Sequence, residues 1–272
     1  MSLFSIDSKK CLKDGACAAD CPVGCLVFEA GKIPVPHEKK QAYCLQCGHC
    51  VAVCPSGAIT LNALPEPGVR KETALRVSNA QGEQFLRSRR SVRTFRDKPI
   101  PRETLASLLQ TAEYAPSGHN ARKTRWAVAD SSEAVNRVAN IVVQWMRREA
   151  EQETDLARSL HLPGIVRVWD SGRDLVCRNA PALAVAFGPK KGITPREDGV
   201  LAVSYLDLAA TAAGLGGCWC GYVTTAAMHD PELRAMFGVS DDQMVYGSIL
   251  LGWPVRAYPA VPPRAEPGVR WL

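Results

Sequence analysis

The chain has 272 residues, 46% of them hydrophobic and 22% charged, with a formal net charge of +6. That length suggests about two domains at roughly 150 residues each. The balance is globular, with no low-complexity tract and no apolar run near the roughly 18 residues of a membrane span. The N-terminus lacks the basic-then-apolar order of a signal peptide, so a cytoplasmic chain is expected, with neither membrane nor nucleic acid as partner.

Eight of the eleven cysteines lie before residue 55. Disulfides suit secreted domains, whereas crowding at one end of such a chain points to metal. The first group runs Cys11, Cys17, Cys21-Pro22, with Asp14 where the spacing leaves room for another cysteine. The second group begins 33 residues later: Cys44, Cys47, Cys50 and Cys54-Pro55 fit CxxCxxCxxxCP in every position. Zinc sites favour two separated cysteine pairs, so three close thiols and a Cys-Pro argue for an iron–sulfur cluster. Between the groups, the glycine and prolines of residues 31–36 predict a hairpin, and Ile59 and Thr60 read as a short strand. Cys25 is left over, either a small buried residue or a reserve ligand.

The repeated pattern resembles bacterial two-cluster ferredoxins over residues 5–62, whose fold is a small α+β sandwich. The resemblance implies that Cys44, Cys47, Cys50 and Cys21 hold one 4Fe-4S cluster and that Cys11, Cys17 and Cys54 serve the other. Carboxylate is a harder ligand than thiolate. Asp14 therefore leaves three outcomes open: a 4Fe-4S cluster with Asp14 or water on one iron, a 3Fe-4S cluster, or an empty site. His49, between two cysteines of the second motif, is expected to hydrogen-bond near a sulfide.

From Leu64 to about Gly82 the sequence loses periodicity and reads as a linker, assigned to residues 63–82. A second domain over 83–272 is expected. It opens on the basic run Arg89, Arg90, Ser91, Val92, Arg93, a composition suited to phosphate oxygens. Leu105, Leu108, Leu109 and Ala112 then share one helical stripe. Ala115-Pro116-Ser117-Gly118-His119-Asn120-Ala121-Arg122 follows. Residues 181–187 predict a buried strand, and 198–217 a small-residue helix closing on Gly214-Leu215-Gly216-Gly217. Cys218-Trp219-Cys220-Gly221, Leu251-Gly252-Trp253-Pro254 and Pro262-Pro263-Arg264 complete the series. Cys177, Cys218 and Cys220 read as small buried residues, and His37, His161 and His229 as surface residues.

RRSxR followed by APSGxN resembles the nitroreductase superfamily of FMN oxidoreductases over roughly residues 84–272. The resemblance implies an α+β fold, dimeric, with FMN between subunits. By that resemblance Arg89, Arg90, Ser91, Arg93 and Arg264 belong to the cofactor-binding set, mainly at the phosphate. Pro116, Ser117, Gly118 and Asn120 would contact the ribityl and ring edge, and Trp219, Cys220 and Gly221 would face the reactive side near N5. Arg122 and Lys123 stand where many relatives carry Gln-Pro, and a cation at that edge would stabilise the reduced ring. Ala260 occupies a position where a second basic residue was expected, placing more weight on Arg264. His119 is a candidate for contact with substrate or flavin.

Together the two halves predict an iron–sulfur flavoenzyme. Electrons would enter singly from a ferredoxin, a flavodoxin or NAD(P)H, collect on FMN, and leave as a hydride from N5 to an organic acceptor such as a nitroaromatic or quinone. Two alternatives stay open at this level: an electron-transfer partner with no small-molecule substrate, and a flavin-binding sensor.

Overall fold

The computed structural model describes residues 3–64 and 68–272. Residues 65–67 of the expected linker lie outside them. Two compact units emerge, Met1–Val77 with His119–Ala121, and Ser78–Gly118 with Arg122–Leu272.

The first unit is built from two short antiparallel pairs and two short helices. Strand β1 (Phe4–Ile6) pairs with β4 (Ile59–Leu61), and β2 (Leu26–Val27) with β3 (Val35–Pro36), the latter pair forming the predicted hairpin. Helices α1 (Ala16–Ala19) and α2 (His49–Val53) each start inside a cysteine motif. Gly15 and Gly48 precede them in the left-handed region, φ 75° and 74°, a conformation that glycine adopts without the cost of a Cβ. Two residues earlier, Lys13 and Gln46 repeat the positive φ at 55° and 52°. The two motifs thus share one backbone wrap, although Asp14 replaces a cysteine in the first. Phe4, Cys17, Leu26, Ile59 and Leu61 form the small core.

The second unit is an antiparallel sheet covered on both faces. It begins with α3 (Asn79–Ser88), inside the stretch read as linker, because Ser78 and Gln81 form a reciprocal capping box. Next come α4 (Arg102–Ala112), β5 (Arg125–Ala129), α5 (Ser132–Glu151), α6 (Asp155–Ser159) and α7 (Leu162–Asp170). Strand β6 (Ala182–Pro189), α8 (Pro195–Ala212), β7 (Gly216–Trp219), α9 (Gly221–His229), α10 (Pro231–Met236) and β8 (Gln243–Gly252) complete it. The strand order is β5-β6-β8-β7.

Two helical layers explain why β6 is apolar at successive positions. Its Leu183, Val185 and Phe187 enter the core beneath α5, α7 and α9, while Ala182, Ala184 and Ala186 enter the core beneath α4 and α8. The predicted stripe of α4 is buried as expected through Leu105, Leu108 and Ala112. The register shifts between Ala186 and Phe187, which face Gly247 and Val245, so Tyr246 is an extra residue in β8. This bulge reverses the side-chain parity, sending Val245 and Ile249 to opposite cores although they are four residues apart. The predicted 198–217 helix is shorter at its end: α8 stops at Ala212, and Gly216 and Gly217 join strand β7.

Candidate functional site

In the first unit the motif cysteines separate into two groups around empty space. Cys21, Cys44, Cys47 and Cys50, with Cys25 and His49, line one cavity of about 390 Å³, part of it open to solvent. Cys11, Cys17, Cys54 and Asp14 line another of about 310 Å³. Among the described residues no three His, Cys, Asp or Glu side chains close on a single ion position. Cysteines at CxxCxxCxxxCP spacing fit a multi-iron cluster better than one tetrahedral ion.

Backbone amides point at several of these sulfurs. Cys25 N donates to Cys21 Sγ at 3.2 Å, Gln46 N to Cys44 Sγ at 3.4 Å, and Ala58 N to Cys54 Sγ at 3.3 Å. Burial disfavours the thiolate of Cys21, yet the amides of Cys25, Val23 and Gly24 outweigh it and lower the pKa. At Cys54 burial is likewise overcome by Ser56 and the Ala58 amide. Cys50 moves the other way, to about 11, through burial and the neighbouring Cys44, Cys47 and Cys21. Cys17 is raised by burial and by Cys54 and Cys11. Asp14 accepts the Ala16 amide on Oδ1 at 3.1 Å. The leftover Cys25 is 2% exposed and donates to the Lys40 carbonyl at 3.3 Å. Burial, with Cys21 and Cys44 close by, pushes its thiol up to about 12.

In the second unit the basic run is laid along the glycines of β7. Ser91 bridges to Gly217, and Val92 N donates to the Gly217 carbonyl at 2.9 Å. Only glycine permits this approach: a Cβ on Gly216 would stand 2.4 Å from Val92, and one on Gly217 2.3 Å from Asp207 Oδ1. In an extended segment alternate residues share a side, which groups Arg89, Ser91 and Arg93 and sends Val92 into the protein, 5% exposed. Arg89 pairs with Asp207 of α8 at 3.3 Å. Arg90 turns instead to the end of α3, donating to the carbonyls of Arg89 and Arg87 at 2.7 and 2.8 Å, so its guanidinium serves as a helix cap.

The APSG turn is anchored by Asp198, a buried residue at the start of α8. Its Oδ1 accepts from Gly118 N and from Thr194 Oγ1, both at 2.9 Å. Ser117 Oγ accepts from Arg122 N at 3.2 Å, and Arg122 lies 3.8 Å from Glu113. Pro116 is exposed beside them. His119 and Asn120 both have φ 52° and belong to the first unit, where the Asn120 amide donates to the Leu45 and Gln46 carbonyls at 3.1 Å. That amide was expected at a ribityl or ring edge.

Trp219 ends β7 with 39% of its surface exposed. Cys220 and Gly221 follow at the start of α9. Cys177, Cys218 and Cys220 are buried, as expected. Cys220 donates to the Val176 carbonyl at 3.2 Å. Its hydrogen bond with Cys177 lowers the Cys220 pKa and raises that of Cys177. Arg264 is exposed in the segment after β8, which has no regular structure. His161 and His229 are exposed, although His229 also stacks on Trp145, and His37 is half-buried. Asp198 and Asp207 were missed from sequence. The available signal was a carboxylate interrupting a small-residue helix, where buried charge calls for a reason.

The sequence pattern of the nitroreductase family matches residues 86–253. The chain belongs to the nitroreductase family. Ahead of that domain, a 4Fe-4S binding domain matches residues 38–60, so this nitroreductase-family oxidoreductase carries an N-terminal ferredoxin-like segment. The 5,6-dimethylbenzimidazole synthase of Rhodospirillum rubrum is 31% identical over 63% of this chain and 81% of its own. Chloronitrobenzene nitroreductase of Comamonas testosteroni is 27% identical over 63% and 86%. A nitroreductase of Bacteroides fragilis solved with bound FMN shares the fold, with a TM-score of 0.58 at 24% identity over 70% of this chain and 97% of that one.

Proposed function

We propose that this nitroreductase-family chain is an FMN- and iron–sulfur-dependent oxidoreductase whose clusters pass electrons singly to the flavin for paired delivery to a small organic acceptor. The donor in this reading is a low-potential ferredoxin or flavodoxin, or NAD(P)H, and the acceptor a nitroaromatic or quinone. The working form is a cytoplasmic homodimer. Residues 1–62 form the iron–sulfur domain and 83–272 the bulk of the flavin domain, whose first helix α3 starts within the 63–82 linker stretch.

The observation that carries the reading is the combination, in one chain, of two thiol-lined cavities with a basic run packed on a glycine strand. Cys21, Cys44, Cys47 and Cys50 would hold a 4Fe-4S cluster, and Cys11, Cys17 and Cys54, with Asp14, a 4Fe-4S or 3Fe-4S cluster. When bound, the clusters would supply one-electron transfer and FMN one- or two-electron chemistry. The amides aimed at Cys21 and Cys54 favour thiolate over thiol, the form that binds iron. Arg89, Ser91 and Arg93 would bind the FMN phosphate by charge-assisted hydrogen bonds, with Arg264 adding a further guanidinium. Asp198 orients the turn of Pro116, Ser117 and Gly118, and Arg122 brings a cation to it. Trp219, Cys220 and Gly221 would face the reactive side of the flavin near N5.

Anaerobic stopped-flow that follows the iron–sulfur and flavin bands separately tests the route. Reduced ferredoxin is expected to bleach the clusters first and the flavin second. Rapid flavin reduction by NADPH, with the clusters left oxidised and ferredoxin inert, overturns the relay.

A further inference from the structure

Asp207 is the one charged residue between Gly199 and Ala212 of α8, and only 3% of its surface is exposed. Its Oδ2 faces Nη1 of Arg89 at 3.3 Å. Among the described residues, Oδ1 has no hydrogen-bond partner of normal geometry; burial raises the pKa of this carboxyl, and the neighbouring Arg89 and Trp219 indole offset that only in part. A half-satisfied buried ion pair is weak evidence for stability, since apolar side chains of similar volume often serve folding as well or better. The pair therefore needs a purpose other than holding the fold.

Its position supplies one. Asp207 Oδ1 occupies the space in front of Gly217, where a Cβ would come within 2.3 Å. Gly217 is also the residue to which Ser91 bridges. Helix α8, strand β7 and the basic run thus converge on this carboxylate. Arg89 keeps 31% of its side chain exposed, so the pair with Asp207 leaves part of the side chain accessible.

We propose that Asp207 is a positioning residue of the flavin site, fixing Arg89 in the orientation that receives the phosphate of FMN. This rests on the FMN reading above, which includes Arg89 but gives Asp207 no part. The planar guanidinium can bond a carboxylate along one edge and a phosphate along another. A long side chain already ordered loses less freedom when the ligand arrives. The competing effect is charge: a carboxylate beside Arg89 also offsets part of its attraction for phosphate. Orientation outweighs it in this proposal.

The test uses the full chain stripped of flavin and titrated with FMN or with riboflavin, which lacks the phosphate. Asp207→Asn is expected to weaken FMN binding by about tenfold or more and to change riboflavin binding by no more than about twofold. Arg89→Gln should behave alike, and the double variant should lose little beyond either single one. Asp207→Leu carries the same expectation, with thermal stability equal to or above that of the parent, and serves if the asparagine variant does not fold. Unchanged or tighter FMN binding, equal losses for both flavins, or additive losses in the double variant overturn the proposal. A parent chain that binds neither flavin defeats the FMN reading itself; a parent that binds FMN and variants that bind it equally defeat only the role of Asp207.

Discussion

Asp14 differs from its counterpart Cys47 in chemistry and not in backbone. The left-handed residues Lys13 and Gly15 repeat Gln46 and Gly48, so a side chain at position 14 leaves the same wrap. Asp14→Cys is therefore expected to complete a four-thiolate site. Iron content and the EPR spectrum of the oxidised protein should both change, and identical values for the two forms would count against it. The loss of the Asp14 bond to the Ala16 amide is a small local cost beside a new thiolate ligand. At Gly217 the limit is steric. A methyl group there would meet Asp207 Oδ1 at 2.3 Å and Ile249 Cδ1 at 2.9 Å. Gly217→Ala should destabilise the second unit by about 1–3 kcal/mol, read as a lower midpoint in denaturant; an unchanged midpoint would show that α8 gives way freely.

Helix boundaries and strand parity belong to the next scale. The Ser78-x-x-Gln81 pattern is a visible start signal, but it sits in a polar stretch whose lack of an apolar stripe reads as linker. The residues of α3 are largely exposed, so capping carries more of its stability than burial does. Ser78→Ala is expected to cost about 1 kcal/mol in the local stability of α3, seen as faster amide exchange in its first turn while β6 amides keep their protection. In β8 the bulge at Tyr246 decides which residues reach which core. Alternation in the sequence gives no warning of it, because both faces of the sheet are covered and most of the buried positions of β8 are apolar, Ser248 being the polar exception. The early end of α8 has a similar origin. Gly216 and Gly217 can continue a helix loop or enter a strand, and pairing with β8 selects the strand.

At the scale of the whole molecule, the two units differ in how they are held. The second has a separate core of buried side chains on each face of its sheet. Among its described residues, the first has a core cluster of only five buried residues, one of them Cys17, and a domain so small usually needs a metal or a disulfide to stay folded. Removing iron with a chelator should unfold the first unit and leave the second with its own thermal transition. One cooperative loss of both would contradict this. Local sequence alone carried the family and the 4Fe-4S character of the N-terminal segment, because the thiol spacings and the RRSxR and APSGxN motifs are local in the chain. It also marked the buried β6 strand and the α4 stripe through apolar periodicity. Only the tertiary structure decided that Arg90 caps a helix, that Asp198 holds Gly118 and that Asp207 holds Arg89. The last two contacts join residues 80 and 118 positions apart. Such pairings depend on which helix packs against which strand, and no local pattern of residues encodes that.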